Sequence, residues 1–167
     1  MTLDEPFSVE VRAPVRNVDN QIRGVGTLFD LRQNGGVVEA TNGVLDVRGS
    51  ETDHTGVFAA SPGGVLEMEA NVTGSGAWSA DGGRIHIAGN VGTTGDIEVL
   101  HGGSLAVDTQ MSGRNLVVDS ASSLDVQGAL RLAGNVDFDG AHNSRELRPG
   151  WLFRNHGWAR RRDRRLE

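Results

Sequence analysis

Three polar residues recur along the sequence at a spacing that would bring them together on one surface. Asp46, Glu67 and His86 follow one another at intervals of 21 and 19 residues. Carboxylate and imidazole groups are common metal ligands, and imidazole exchanges protons near neutral pH. One interpretation is therefore a surface site for a cation or a proton. The other, which we favour, is an exposed polar face on which His86 relieves the repulsion between neighbouring carboxylates.

Five aspartates raise the question of a second chemistry, because polysaccharide hydrolases use a pair of acidic residues. They are Asp108, Asp119, Asp125, Asp137 and Asp139. The glycine-rich bends beside them are too short to wall a substrate groove, so we interpret these aspartates as solubilising surface residues. A carbohydrate-active enzyme stays open only as the third alternative for this chain.

Motifs of other enzymes and of cofactor sites do not occur in the sequence. The run HGGS at 101–104 has no partner aspartate or nucleophile elbow near it. The run GVG at 24–26 lacks the third glycine of a dinucleotide fingerprint. The chain contains no cysteine, which excludes disulfides and thiolate metal sites. We therefore predict no enzyme activity, no catalytic residue, no bound metal and no cofactor.

A short sequence motif such as GVLDV at 43–47, called the phrase below, recurs about every 20 residues and sets the positions of the polar residues. Its first apolar member moves from Leu45 to Leu66, Ile85, Leu105 and Leu124, at intervals of 21, 19, 20 and 19 residues. A fixed period of this length is the signature of a repeat architecture. Because side chains alternate across a strand, the two apolar residues of each phrase share the inner face and the residue between them points outward.

Two further apolar series repeat with the same period, so each repeat contains three short strands. We predict an all-β fold, a single-stranded parallel β-helix or β-solenoid with about 20 residues per coil. The predicted core columns are Leu45, Val47, Leu66, Met68, Ile85, Ile87, Leu105, Val107, Leu124 and Val126; Val38, Phe58, Trp78, Ile97 and Leu116; and Val72, Val91, Met111 and Leu130. Asn71, Asn90 and Gln110 precede the third strand of successive coils and are predicted to form a stacked polar ladder.

The sequence divides into three predicted segments. Residues 1–35 form an N-terminal strand followed by an irregular first coil or cap, since the apolar stretch 22–31 contains two glycines. Residues 36–140 hold the solenoid repeats. Residues 141–167 form a basic, Trp- and Arg-rich tail, for which a C-terminal cap is one interpretation. Within the repeats, polar residues replace the third strand at 50–55, where we expect a bulged, exposed loop.

Charge is distributed unevenly between the body and the tail. The net charge is −6 over 167 residues. Eight Arg and three acidic residues from 141 onward give +5, which leaves 8 Arg and 19 acidic residues, or −11, for the remainder. An Arg-rich tail with tryptophans is a candidate for contact with nucleic acid, but the acidic body opposes a duplex. We expect no nucleic-acid partner and no membrane-spanning segment.

Several phrases of the repeat region resemble autotransporter-associated β-strand repeats. They include NVTGSGAW at 71–78, GGRIHIAGNV at 82–91 and GGSLAV at 102–107, and the resemblance extends over roughly 36–139. It implies a right-handed parallel β-helix with a role in surface display, adhesion or matrix structure. On this basis we expect a non-enzymatic structural or adhesive module at the cell surface or outside the cell, as a fragment of a larger exported protein. Its polar face would meet a glycan or protein partner.

A second resemblance points to a different class of protein. The run IHIAGNVGTTGDI at 85–97 is similar in rhythm to bactofilins, which implies a cytoplasmic scaffold that associates end to end. The acidic start of the chain, MTLDEP, has no apolar core and does not read as a secretory signal peptide, which favours this alternative. The long period and the frequent Gly-Gly pairs disfavour it.

Overall fold

The structure, a computed structural model, describes residues 2–3, 9–11 and 13–139 and confirms the predicted parallel β-solenoid. All strand pairs between described residues are parallel. Equivalent residues lie one coil apart, as where Ile85 pairs with Leu66 on one side and with Leu105 on the other. The described residues contain no helix, and so none that is long and apolar enough to cross a bilayer. The tail at 141–167 and its suggested capping role lie outside the described residues.

Each coil places one strand on each of three faces of the rod. The first face contains β8 (Val57–Ala60), β11 (Ala77–Asp81), β14 (Ile97–Leu100), β17 (Leu116–Asp119) and β20 (Val136–Asp139). The second face contains β9 (Val65–Met68), β12 (Arg84–Ile87), β15 (Ser104–Val107) and β18 (Ser123–Val126). The third face contains β3 (Val15–Asn17), β5 (Leu31–Asn34), β7 (Glu51–His54), β10 (Asn71–Gly74), β13 (Val91–Thr93), β16 (Gln110–Gly113) and β19 (Ala129–Leu132).

Two long strands near the N-terminus run across the corner between the first and second faces. They are β4 (Gln21–Phe29) and β6 (Val37–Arg48), and the two halves of β6 pair with β8 and β9. The short strands β1 (Thr2–Leu3) and β2 (Val9–Val11) pair with β4. The expectation of an irregular stretch at 22–31 is therefore wrong. The register of β4 shifts between Gly24 and Gly26, whose φ angles of 133° and 131° let the strand bend without leaving the sheet.

Apolar side chains fill the interior along the length of the rod. On the second face, both apolar residues of the phrase are at most 2% exposed in four successive coils: Leu45, Val47, Leu66, Met68, Ile85, Ile87, Leu105 and Val107. The first and third faces contribute buried Val38, Phe58, Trp78, Ile97 and Leu116, and buried Val72, Val91, Met111 and Leu130. Leu124 and Val126 are only partly buried, because no described coil follows the one to which they belong.

The segment 50–55 contains the regular strand β7 and is not the exposed loop expected from its polar composition. β7 pairs with β5 on one side and with β10 on the other. Thr52 and His54 point inward and are 0% exposed. Thr52 Oγ1 donates a hydrogen bond of 2.5 Å to the Leu31 carbonyl oxygen, and His54 has a partner on each ring nitrogen. Polar residues are accepted inside because neighbouring coils satisfy their hydrogen bonds.

Candidate functional site

The outward column of the second face brings Glu67 and His86 into contact. The solenoid register places Asp46, Glu67, His86, Ala106 and Asp125 one above another in successive coils. Glu67 Oε2 lies 2.5 Å from His86 Nδ1. Ala106 offers no polar group to the other side of the ring. The column therefore forms one close pair and not a continuous ladder of charges.

A residue outside this column completes the environment of His86. Asp108 directly follows β15, and its Oδ2 lies 2.9 Å from His86 Nε2. The side chains of Glu67, His86 and Asp108 are 31%, 23% and 43% exposed. His86 thus bridges two carboxylates that belong to coils on either side of its own. The sequence drew attention to Asp108 as an acidic residue but did not predict its contact with His86.

The two carboxylates stabilise the protonated form of His86. Partial burial is the largest single influence on the ring and works against its charge. The hydrogen bonds and the charges of Asp108 and Glu67 together outweigh it and raise the pKa of His86 above its usual value. Because the folded-state pKa is raised, the contribution of this bridge to stability is complete below about pH 6.5 and is lost as the pH rises through the folded-state pKa.

Asp46, the third member of the predicted site, belongs to a separate contact. Its Oδ2 lies 2.5 Å from Arg48 Nε, which also lies 3.4 Å from Glu69 Oε2. Its other oxygen, Oδ1, is buried without a hydrogen-bond partner. Burial raises the pKa of the Asp46 carboxyl, and the hydrogen bond from Arg48 only partly opposes this. Asp46 is therefore held by Arg48, in the same strand, and not by Glu67 or His86.

The geometry around His86 suits a proton better than a metal ion. Its two ring nitrogens face carboxylates on opposite sides, so the three side chains do not converge on one point. Among the described residues, no group of three His, Cys, Asp or Glu side chains is arranged to hold a metal ion. A cation site needs ligands that surround a common centre. Glu67, His86 and Asp108 instead link three coils through a ring that can take up a proton, and we call these three residues the clasp.

Removing one carboxylate from this clasp should lower the pKa of His86. We expect Asp108→Asn to shift the titration of the His86 ring toward lower pH, because the neutral amide no longer stabilises the imidazolium ion. The measurement is an NMR titration of the ring carbon protons. Asp125→Asn, an exposed neighbour on the same face, should leave the titration unchanged. Equal titration curves for wild type and Asp108→Asn would show that the bridge does not form in solution.

A second histidine has a carboxylate partner at the corner between the first and second faces. Asp81 Oδ1 lies 2.6 Å from His101 Nδ1, and the backbone N–H of His101 donates to Asp119 Oδ2. The hydrogen bond that the ring donates to the Asp81 carboxylate raises the pKa of His101. The sequence-based view that the HGGS run lacks a partner aspartate is wrong, because the partner comes from the preceding coil. Ser122 donates to Asp119 and not to the ring, so no serine–histidine pair forms here.

The predicted polar ladder takes a different form in the structure. Asn71 Oδ1 accepts a hydrogen bond of 3.0 Å from the backbone N–H of Asn90. Gln110 Oε1 accepts one of 3.3 Å from Arg131 Nη1. Asn115 Oδ1 likewise accepts from the backbone N–H of Asn135, at 2.9 Å. Within the described part of the chain, the side-chain oxygens of Asn71, Gln110 and Asn115 accept hydrogen bonds from the next coil, and these amides do not bind one another. Asn115 Nδ2 also donates to Asp96 Oδ1 of the preceding coil, at 2.8 Å.

One shallow groove in the described part of the chain lies beside the third face and contains no acid pair. It has a volume of about 380 Å³ and is lined by Thr94, Ser112, Arg114, Arg131 and neighbouring residues, with no carboxylate among them. Asp119 is engaged in the His101 corner, while Asp125 and Asp137 make no side-chain hydrogen bond with described residues.

Comparisons with protein-family models, with curated proteins and with solved structures find no match for this chain.

Proposed function

We propose that the chain is a non-enzymatic structural module that presents its second face to a glycan or protein partner, as part of a bacterial surface or secreted protein. The observation that supports this most directly is the outward column from Asp46 to Asp125, which keeps its register over five coils. Parallel strands spaced at about 4.8 Å set these side chains at regular intervals. A regular, flat array of this kind suits an extended partner.

Charge defines the kind of partner that this face would accept. Its outward positions and the adjoining bends carry more acids than bases: Asp46, Glu67, Glu69, Asp108 and Asp125 against Arg48 and Arg84. A complementary partner carries cationic groups, such as the amino groups of an amino sugar polymer or a basic protein segment. Because these charges are near the surface, binding should weaken as the salt concentration rises.

The contacts along this face also prepare it for binding. His86 is fixed between Glu67 and Asp108, and Arg48 is fixed between Asp46 and Glu69. Side chains that are already ordered lose less conformational entropy when a partner binds. The face therefore resembles a preorganised surface more than a set of mobile charged residues.

Binding to an array that includes amino sugar polymers tests the proposal. We expect the purified chain to bind at low salt, and we expect the double variant Glu67→Gln/Glu69→Gln to bind about tenfold more weakly because it lacks two charges of the face. Glu98→Gln, an exposed position on the first face, is the matched control and should bind like wild type. Equal loss in the control, or binding that does not depend on either variant, would place the interaction elsewhere.

A self-assembling scaffold is the second candidate, and the last described coil favours it. Leu124 and Val126 of β18 are partly exposed, whereas Leu105 and Val107, one coil earlier, are at most 2% exposed. Among described residues, no strand pairs with the outer edge of β18, β19 or β20. Open strand edges and apolar ends are where β-solenoids associate. Electron microscopy of the same preparation separates the candidates, since filaments without glycan or protein binding would replace the display function by assembly.

A further inference from the structure

A column of buried polar side chains lines the interior of the third face near the N-terminus. Asn17 pairs in register with Asn34, and Asn34 pairs with His54. Their exposed fractions are 2%, 0% and 0%. None of the three is part of the Glu67–His86–Asp108 clasp or is an apolar residue of the core columns. Buried amides and imidazoles are costly unless each polar atom has a partner, so their hydrogen bonds define what this column does.

The hydrogen bonds of the two asparagines run in one direction. The backbone N–H of Asn20 donates to Asn17 Oδ1 at 3.0 Å. Because a backbone N–H can only donate, it fixes the orientation of the Asn17 amide. Asn17 Nδ2 then donates to Asn34 Oδ1 at 2.8 Å and to the Val37 carbonyl oxygen at 3.3 Å.

The same logic extends to the histidine ring. Asn34 Nδ2 donates to the Val57 carbonyl oxygen at 3.1 Å and lies 3.3 Å from His54 Nδ1. His54 Nδ1 must therefore accept, which leaves the proton on Nε2. Nε2 lies 3.1 Å from the Ala77 carbonyl oxygen, which can only accept. Every hydrogen bond in the series that leads from the Asn20 N–H to the Ala77 carbonyl oxygen thus agrees with one neutral tautomer of His54.

The surroundings of the His54 ring do little to stabilise a second proton on it. Phe58 and Trp78 lie against it with ring centroids 4.3 Å and 5.4 Å away. A Cβ on Gly76 would lie 2.3 Å from Nε2, so the bend after β10 closes over the ring. Among the described residues, Asp53 of β7 is the one charged group that acts on the ring. Burial is the largest influence and lowers the pKa of His54, against the smaller effects of Ala77, Asn34 and Asp53.

We infer that neutral His54 is an acid-sensitive latch that holds the N-terminal coils together. A proton on Nδ1 would face the N–H of Asn34 Nδ2, so the two donors would repel. Rotating the Asn34 amide would place its nitrogen against Asn17 Nδ2 and withdraw the donor from Val57. No single side-chain rotation repairs the column. Acid should therefore open the coils around β5, β7 and β11, while the coils beyond β14 stay closed.

The direction of the pH effect follows from the lowered folded-state pKa. Between that pKa and about 6.5, the unfolded chain binds the proton that the folded chain rejects, so stability falls as the pH falls through this window. His86 and His101 act in the opposite direction, because their pKa values are raised. Global stability would mix these opposing effects. A measurement that resolves individual strands is therefore required.

Hydrogen exchange of the full chain, followed by mass spectrometry at pH 7.5, 6.5 and 5.5 and corrected for intrinsic exchange rates, tests the latch. The corrected exchange rate of peptides from β5 and β7 should rise with each pH unit below 6.5. The rise should be at most about tenfold per unit, which is the limit for one linked proton. Peptides from β15 and β16 should not change. In His54→Gln, whose amide can accept from Asn34 and donate to Ala77 without titrating, the increase should disappear. His86→Gln is the matched control and should keep it.

Two results would overturn the latch: equal exchange of β5 and β7 at all three pH values in wild type, or an undiminished acid response in His54→Gln. Should His54→Gln fail to fold, ring-nitrogen NMR on wild type decides instead. We expect His54 to remain the neutral Nε2–H tautomer at pH 5.5 while His86 is protonated. A doubly protonated His54 ring in an intact rod, or a proton on Nδ1, would show that the column does not select the neutral form.

Discussion

Ile85→Asp is expected to abolish the cooperative unfolding transition of the rod at room temperature. Ile85 is 1% exposed and packs in β12 between Leu66 and Leu105. The change removes a buried isoleucine, at a cost of about 2–5 kcal/mol, and it introduces a carboxyl group without a partner, at a cost of about 2 kcal/mol or more. The sum is comparable with the stability of a whole domain, about 5–15 kcal/mol. Since each coil contacts only its neighbours, failure of a central coil separates the two ends of the rod.

Urea unfolding followed by far-ultraviolet circular dichroism measures this effect. Arg84→Asp is the matched control, because it places the same side chain one residue earlier at an exposed position. It should change the free energy of unfolding by no more than about 0.5 kcal/mol. Ile85→Val should cost only about 1 kcal/mol. A transition midpoint of Ile85→Asp equal to that of Arg84→Asp would contradict the interior placement of this column.

The architecture was accessible from the sequence because one physical rule repeats along it. Side chains alternate across a strand and equivalent residues stack in a solenoid, so the period of the apolar phrase reports the register directly. Leu45, Leu66, Ile85 and Leu105 do pair in one column. Strand alternation and the repeat period can both be read from the residue types along the chain, so the sequence was sufficient to predict this column.

The rule failed where polar residues face the interior. It treated only apolar residues as inward, and so it missed β7 with Thr52 and His54. A positional signal was nevertheless present, since Asn34 and His54 each stand two residues before a glycine and are 20 residues apart. Whether such a residue is tolerated inside depends on partners one coil away, such as the Ala77 carbonyl oxygen. A pattern of residue types does not reveal these partners.

The surface site was predictable only in part, for a related reason. Stacking placed Glu67 next to His86, and the two are in contact. It did not show that Arg48 would engage Asp46 within the same strand, or that Asp108 would reach His86 from beyond the end of β15. These contacts depend on side-chain length and rotamer and not on register. The position of a residue in a column therefore identifies which side chains could meet, and the length and rotamer of each side chain determine which of them do.

The corner between the third and first faces depends on a stack of glycines whose missing side chains leave room for the preceding coil, for its backbone at three of them and for the His54 ring at Gly76. Gly36, Gly56, Gly76 and Gly95 occupy this corner in successive coils. A Cβ on Gly95 would lie 2.0 Å from the Gly76 carbonyl oxygen, and one on Gly56 would lie 2.0 Å from the Gly36 carbonyl oxygen. Both obstacles are backbone atoms, which cannot turn aside as a side chain can. Ladder hydrogen bonds such as the 2.9 Å bond from the Ala77 N–H to the Gly56 carbonyl oxygen fix the coil spacing there.

Gly95→Ala should therefore destabilise the rod by about 3 kcal/mol, because a single methyl group forces two coils apart and weakens the hydrogen bonds between them. Gly92→Ala, in β13 of the same coil, is the control. A Cβ there would meet only the Val72 carbonyl oxygen, at 3.8 Å, an ordinary contact. It should be neutral or slightly stabilising, because alanine restricts the unfolded chain more than glycine does. If urea midpoints for the two variants coincide, the spacing between coils is loose enough to admit a side chain, and the corner glycines serve some purpose other than close approach.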